Sequence, residues 1–126
     1  MSFTYSQRLW GAICALQGGV AVATGAFGAH GLKHLVDDRA LGWWQTGSQY
    51  LMYHALAGLI VVALMGVKPS LKHAVIWFSV GSTLFAGSLF VMTLTSLTTL
   101  GMVTPIGGVS YLIGWGLLAY GLLKRH

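Results

Sequence analysis

The sequence predicts an all-α integral membrane protein, a four-helix bundle of membrane spans forming one domain over residues 1–126. Hydrophobic residues make up 56% of the chain and charged residues 7%, where soluble domains carry roughly 25% charged residues. So few charges cannot cover the surface of a soluble fold of this size. Those present fence off long neutral intervals: 24 residues between Arg8 and Lys33, 28 between Arg39 and Lys68, and 51 between Lys72 and Lys124. A helix needs about 20 apolar residues to cross the hydrocarbon core, so the first two intervals hold one span each and the third holds two. "LFAGSLFVMTL" and "AGLIVVALMGV" are continuous apolar runs, unlike the alternating segments of roughly ten residues that build a transmembrane barrel.

The first span is expected over residues 9–29. Arg8, the apolar run behind it and "AVA" at 21–23 also outline a secretory signal peptide, but the run continues past that cut, which favours a retained span. In "GAFGAHG" (25–31) glycines at spacing three suggest a phosphate loop, yet a dinucleotide fingerprint sits between a strand and a helix. Here the glycines close a membrane helix, and Gly31 is suited to end it in a left-handed conformation. Between spans one and two, "LKHLVDDRALGWWQTGSQY" is expected to form a short interfacial helix. Asp37 or Asp38 caps it, Leu35, Leu41 and Trp44 give it an apolar face, and Gly47 supplies a bend before the second span. The second and third spans are expected over residues 50–67 and 74–95. "TSLTTLGMVTPIGG" (95–108) is rich in Thr, Ser and Gly, and Pro105 disfavours helix at Thr104. The chain is therefore expected to turn there, before a fourth span over 106–123.

Four spans place Arg8, Lys68, Lys72, Lys124 and Arg125 on one side of the bilayer and Lys33 and Arg39 on the other. The positive-inside rule makes the first side cytoplasmic, with both termini. The net charge of +5 is no nucleic-acid footprint, because the basic residues are scattered between neutral runs instead of clustered on one face. Cys14 is the only cysteine, which excludes an intrachain disulfide, a CxxC redox pair and a cysteine-based zinc site.

Small residues recur at helical spacing. Gly11, Ala15, Gly19 and Ala23 repeat every four residues, as do Ala21, Gly25 and Ala29; Thr83 with Gly87 and Ser110 with Gly114 extend the pattern. Lipid gives helices no hydrophobic drive to associate, so close approach over small residues must supply it. Gly11, Gly19, Gly25, Gly87 and Gly114 are the expected helix-packing positions.

Against this background Thr46, Tyr50, His54 and Gly58 share one helix face, with Gln49 beside them. His30 and Thr104 fall at the same outer end, so His30, Gln49, Tyr50, His54 and Thr104 form a candidate polar cluster in the outer half. Polar groups at that depth are expected to face the bundle interior. The cluster reads as a network that fixes helix register, as a site for a lipid headgroup or small molecule, or as a proton or ion pathway through His54. No metal or cofactor is expected. His30 and His34 have i,i+4 spacing but Gly31 lies between them, and no intramembrane carboxylate completes a site with His54. Catalysis is not expected either: Asp37 and Asp38, the only acids, lie in the outer connector. Small multidrug transporters have similar size and span number but depend on an intramembrane carboxylate that this chain lacks.

"GAFGAHGLK" (25–33), "YLMYHALA" (50–57), "FAGSLF" (85–90) and "TPIGG" (104–108) followed by "GW" (114–115) resemble the domain of unknown function 423 family. The resemblance covers nearly the whole chain. It implies a four-helix protein of bacterial inner membranes, or of mitochondria in animals, and it implies no activity and no catalytic residues. The expected protein is thus a non-enzymatic, multi-pass protein of the bacterial inner membrane, whose partner is the lipid bilayer and not nucleic acid. A transporter or channel component is the alternative. Four short helices enclose little space, so a pore would require a homo-oligomer.

Overall fold

The computed structural model describes residues 2–125, and among them the regular structure is entirely helical. Helices α1 (Tyr5–His30), α2 (Asp38–Leu64), α3 (Lys72–Thr95) and α4 (Thr104–Leu123) are joined through short 3-10 turns at Leu32–His34, Pro69–Leu71 and Thr98–Met102. All four long helices have the length and apolar composition to cross a membrane.

Local chemistry sets their ends. Thr4 and Gln7 form a capping box at α1: Thr4 Oγ1 accepts from the Gln7 amide at 3.2 Å and Gln7 Oε1 from the Thr4 amide at 3.0 Å. Asp37 caps α2 by accepting from the Ala40 amide at 2.8 Å. Pro105 lies in the first turn of α4, where a missing amide hydrogen leaves no bond unmade; Thr104 accordingly opens that helix instead of preceding it. α3 closes at Ser96, whose φ of 60° is left-handed and whose amide donates to Met92 O at 2.8 Å.

Three expectations are corrected. No separate interfacial helix forms, because α2 begins at Asp38 and runs unbroken for 27 residues. At 1.5 Å per residue that is about 40 Å, longer than the roughly 30 Å of hydrocarbon a span must cross. Gly47 does not bend α2; a Cβ there would lie 2.9 Å from Phe90 Cε1, so the residue provides room for a neighbour. Gly31 is right-handed (φ −81°, ψ −51°) and hands α1 directly to the 3-10 turn, which needs no left-handed residue.

The helices pack in chain order: α1 on α2, α2 on α3 and α3 on α4, with α1 only grazing α3. α1 and α4 are therefore outer flanks of a central α2–α3 pair, and most of their surface is left to lipid. Buried Val61, Val75, Phe78, Cys14 and Tyr111 form the main core. A Cβ at Gly58 would lie 2.5 Å from Cys14 Sγ, so this glycine lets α1 seat against α2.

Polar contacts pin both ends. Near the termini, the buried Gln7 amide donates through Nε2 to Val62 O at 2.9 Å, and Lys68 Nζ donates to the carbonyls of Gly121 and Lys124. At the other end, Thr93 Oγ1 approaches Ala40 O at 3.1 Å and Leu89 O at 2.8 Å. The polar groups are thus not confined to the outer half.

Candidate functional site: a His54-centred aromatic cluster and a groove between α1 and α3

His54 is the best-connected polar side chain in the helical core. It is 5% exposed. Its Nδ1 lies 2.8 Å from Tyr50 O, one turn earlier on α2, and Trp115 Nε1 on α4 donates to its Nε2 at 3.0 Å. A carbonyl only accepts and an indole N–H only donates. The ring therefore carries its hydrogen on Nδ1 and a lone pair on Nε2, and both nitrogens are engaged.

Aromatic rings enclose this group. Tyr111 stacks on the imidazole with centroids 3.5 Å apart and planes 10° from parallel, while Phe78 meets it edge-on at 5.2 Å. The Tyr111 hydroxyl pairs with Ser82 Oγ at 2.9 Å. Glycines make the stacking sterically feasible. A Cβ at Gly81 would lie 2.5 Å from Tyr111 Cδ1, and one at Gly114 2.6 Å from Phe78 Cδ1.

A second network joins α1 to α2 toward the end away from the chain termini, near the α1–α2 connection. Trp44 Nε1 donates to Thr24 O at 2.7 Å, and Ser48 Oγ donates to Thr24 Oγ1 at the same distance. Gly28 faces the Trp44 indole so closely that a Cβ would lie 2.8 Å from Cδ1. On α3, Ser88 Oγ donates to Phe85 O at 3.0 Å. That uses its one hydrogen, so Thr104 donates in the 2.5 Å Ser88–Thr104 pair.

The five residues of the expected cluster are thus not one site. Tyr50 and His54 come together through the Tyr50 carbonyl, and the Tyr50 ring lies 4.9 Å from Phe85. Thr104 belongs to the Ser88 pair. His30 and Gln49 are exposed and take no part in these networks. Of the glycines, Gly11 lies where a Cβ would touch Val62 at 3.4 Å and Gly114 packs on Phe78, whereas Gly19, Gly25 and Gly87 have nothing within 4 Å of a built Cβ. Trp115, Tyr111, Thr24 and Gln7 carry interactions that the sequence pattern did not mark, and Trp44, expected on an interfacial face, is buried between helices. The i,i+4 spacing of Tyr111 and Trp115 was the available signal for the first two. Among the described residues no three His, Cys, Asp or Glu side chains converge as a metal site would require.

A groove opens on the other side of the central pair, where α1 and α3 stand apart over α2. Its two adjoining sections have volumes of about 390 and 320 Å³ and share Ile13, Gln17 and Thr83. Leu51 of α2 and Ala86 and Gly87 of α3 line one section. Ser79, 8% exposed, lines the other, and its Oγ has no hydrogen-bond partner among the described residues.

Four apolar helices of spanning length, pinned by internal polar contacts, define a four-span integral membrane protein. The family model described as "Protein of unknown function (DUF423)" matches residues 24–108. The chain is 45% identical over 118 residues to the UPF0382 membrane protein YwdK of Bacillus subtilis, covering 90% of this chain and 93% of that protein. It is 42% identical over 115 residues to a UPF0382 membrane protein of Haemophilus influenzae (89% and 91% covered). It is also 38% identical over 112 residues to the UPF0382 inner membrane protein YgdD of Escherichia coli K12 (87% and 86% covered). The chain belongs to this family of multi-pass membrane proteins. No solved structure matches it.

Proposed function

We propose that this is a non-enzymatic protein of the bacterial inner membrane, that its His54 cluster is a structural keystone, and that the α1–α3 groove holds a lipid or small apolar ligand bearing a hydrogen-bonding group. The unpartnered Ser79 hydroxyl carries this reading. A hydroxyl without a partner costs free energy in an apolar surrounding, and Gln17 and Thr83 line the same opening. An occupant with one complementary polar group relieves that cost while its apolar body covers Leu51 and Ala86. Ser79 and Gln17 lie well inside their helices, so the ligand's polar group sits within the membrane and not at its surface. Ion or proton passage through His54 is less well supported, since both ring nitrogens are already bonded. The non-enzymatic reading draws on the acids: Asp37 and Asp38 stand at the start of α2, four turns from His54.

Gly87→Leu is the test, because nothing stands within 4 Å of a Cβ at that position and the larger side chain fills the groove without displacing a helix. Native mass spectrometry of protein released from its own membrane is expected to show an adduct on the wild type and none on Gly87→Leu, with equal thermal stability. A wild type without adduct, or a variant that keeps it, defeats the reading. A wild type that runs as a dimer and a variant that runs as a monomer would assign the groove to a second copy of the chain.

The end bearing both termini is assigned to the cytoplasm, supported by its five basic residues against two at the other end. Cysteines placed at Lys33 and Lys72 of intact cells check this. Labelling of the Lys72 position alone by an impermeant reagent reverses the orientation.

A further inference from the structure

We infer that the end carrying the termini holds a specific site for one anionic phospholipid, with its phosphate over Lys68, Ser70 and Lys124 and its acyl chains astride a ridge formed by Leu71 and Gly121. This site is separate from the α1–α3 groove and does not depend on it.

Two clefts meet at this ridge. One, about 680 Å³, runs down the α2 side past Leu64, Val67 and Leu122. The other, about 410 Å³, runs down the α3 side past Ala74, Trp77 and Leu117. Ser70, Leu71, Gly121 and Lys124 line both. The ridge is tightly built, since a Cβ on Gly121 would lie 2.5 Å from Leu71 Cδ2. The result is a polar head position with an apolar channel descending on either side, which is the outline of a two-chain lipid.

The charge distribution selects the lipid. Lys68, Lys72, Lys124 and Arg125 gather at this end, and the only acids in the chain, Asp37 and Asp38, stand at the far end of α2. No Asp or Glu side chain among the described residues is there to neutralise them. The carbonyls at the C-terminus of α4 would repel a phosphate, but Lys68 Nζ covers two of them by donating to Gly121 O and Lys124 O. Its charge shields the helix end, and the residue lines the α2-side cleft. Lys124 Nζ lies 5.9 Å from the centre of the Tyr120 ring, and Trp77 is partly exposed in the α3-side cleft, as expected of aromatic side chains at headgroup level. Basic pockets between helices on the cytoplasmic side are where anionic headgroups bind.

The test compares phosphatidylglycerol with phosphatidylcholine of identical chains, added to delipidated protein in detergent and followed by thermal shift and native mass spectrometry. Phosphatidylglycerol is expected to bind with one-to-one stoichiometry and raise the melting temperature, and phosphatidylcholine is not. The double variant Lys124→Gln, Arg125→Gln is expected to lose roughly thirtyfold in phosphatidylglycerol affinity, given about fivefold for each basic residue near a membrane surface. Lys33→Gln with Arg39→Gln removes the same charge from the opposite end and is expected to bind as the wild type does. Equal loss in both double variants means that bulk charge attracts the lipid, and overturns the proposal. So does equal binding of the two lipids, or protection by inorganic phosphate alone at the same concentration.

Discussion

Trp115 on α4 and His54 on α2 are joined by an indole-to-imidazole hydrogen bond of 3.0 Å across 61 residues of sequence. α2 and α4 otherwise meet mainly through α3, so this bond and the Tyr111 stack tie the two helices directly. Hydrogen bonds between membrane helices average about 0.6 kcal/mol and reach about 1.7, and the aromatic stack adds to that. Trp115→Phe keeps a ring but removes the donor, and is expected to lower unfolding free energy by about 1 kcal/mol. His54→Leu loses the bond and the stack, and costs more. In a double-mutant cycle measured by unfolding in mixed micelles, the pair should couple by about 0.5–1.7 kcal/mol. Nitrogen-15 chemical shifts of His54 should report the Nδ1–H tautomer. An Nε2–H tautomer, or additive single mutants, would contradict the geometry.

Tyr50 behaves differently from His54 although both lie on one helix face. Its carbonyl, not its side chain, holds the imidazole, and the residue is 40% exposed. Tyr50→Phe is therefore expected to change stability by less than about 0.5 kcal/mol, within the range of surface substitutions. The same unfolding measurement checks it. A loss as large as that of His54→Leu would mean that the Tyr50 hydroxyl has a partner in the membrane.

What was legible in the sequence follows from the range of the signal. Charge-free intervals and apolar runs are local, so they mark four apolar helices, three of which have ends close to those observed. The second span does not, because Gln45, Thr46 and Gln49 read as connector. Tertiary contacts instead hold that stretch helical: Trp44 packs 4.6 Å from Phe90, and Thr93 reaches Ala40 O. His54 was visible as a polar residue deep in an apolar run, but its partner was not. The i,i+4 spacing of Tyr111 and Trp115 puts them on one face of α4, but nothing local says whether that face meets another helix or lipid. The glycine ladders show the same limit: Gly11 and Gly114 meet a neighbouring helix, while Gly19, Gly25 and Gly87 do not. Spacing of four identifies a face of α1, but only the rotation of that helix decides whether Gly25 or Gly28 meets Trp44, and Gly28 does.

Neighbouring glycines consequently make matched tests of helix contact. Gly107 and Gly108 are adjacent on α4, yet a Cβ at Gly107 would lie 2.8 Å from Phe85 Cα, while one at Gly108 meets nothing within 4 Å. Phe85 backbone sits inside α3 and cannot swing aside as a side chain can. Gly107→Ala must therefore push α4 off α3, loosening the Ser88–Thr104 pair nearby, and is expected to cost about 1–3 kcal/mol, as overpacking does. Gly108→Ala adds the same methyl group to the lipid-facing side and gains up to about 1 kcal/mol of helix propensity. On α1 the pair is Gly28→Ala, which strikes the Trp44 indole, and Gly25→Ala, which is open. Gly28→Ala is expected to be the milder of the two damaging changes, because an indole can tilt where a backbone cannot. Melting temperatures of the four variants in one detergent should thus fall in the order Gly107→Ala lowest, Gly28→Ala next, and the two open positions at or above wild type. Equal values within each pair would show that α1 and α4 sit at different rotations from those described.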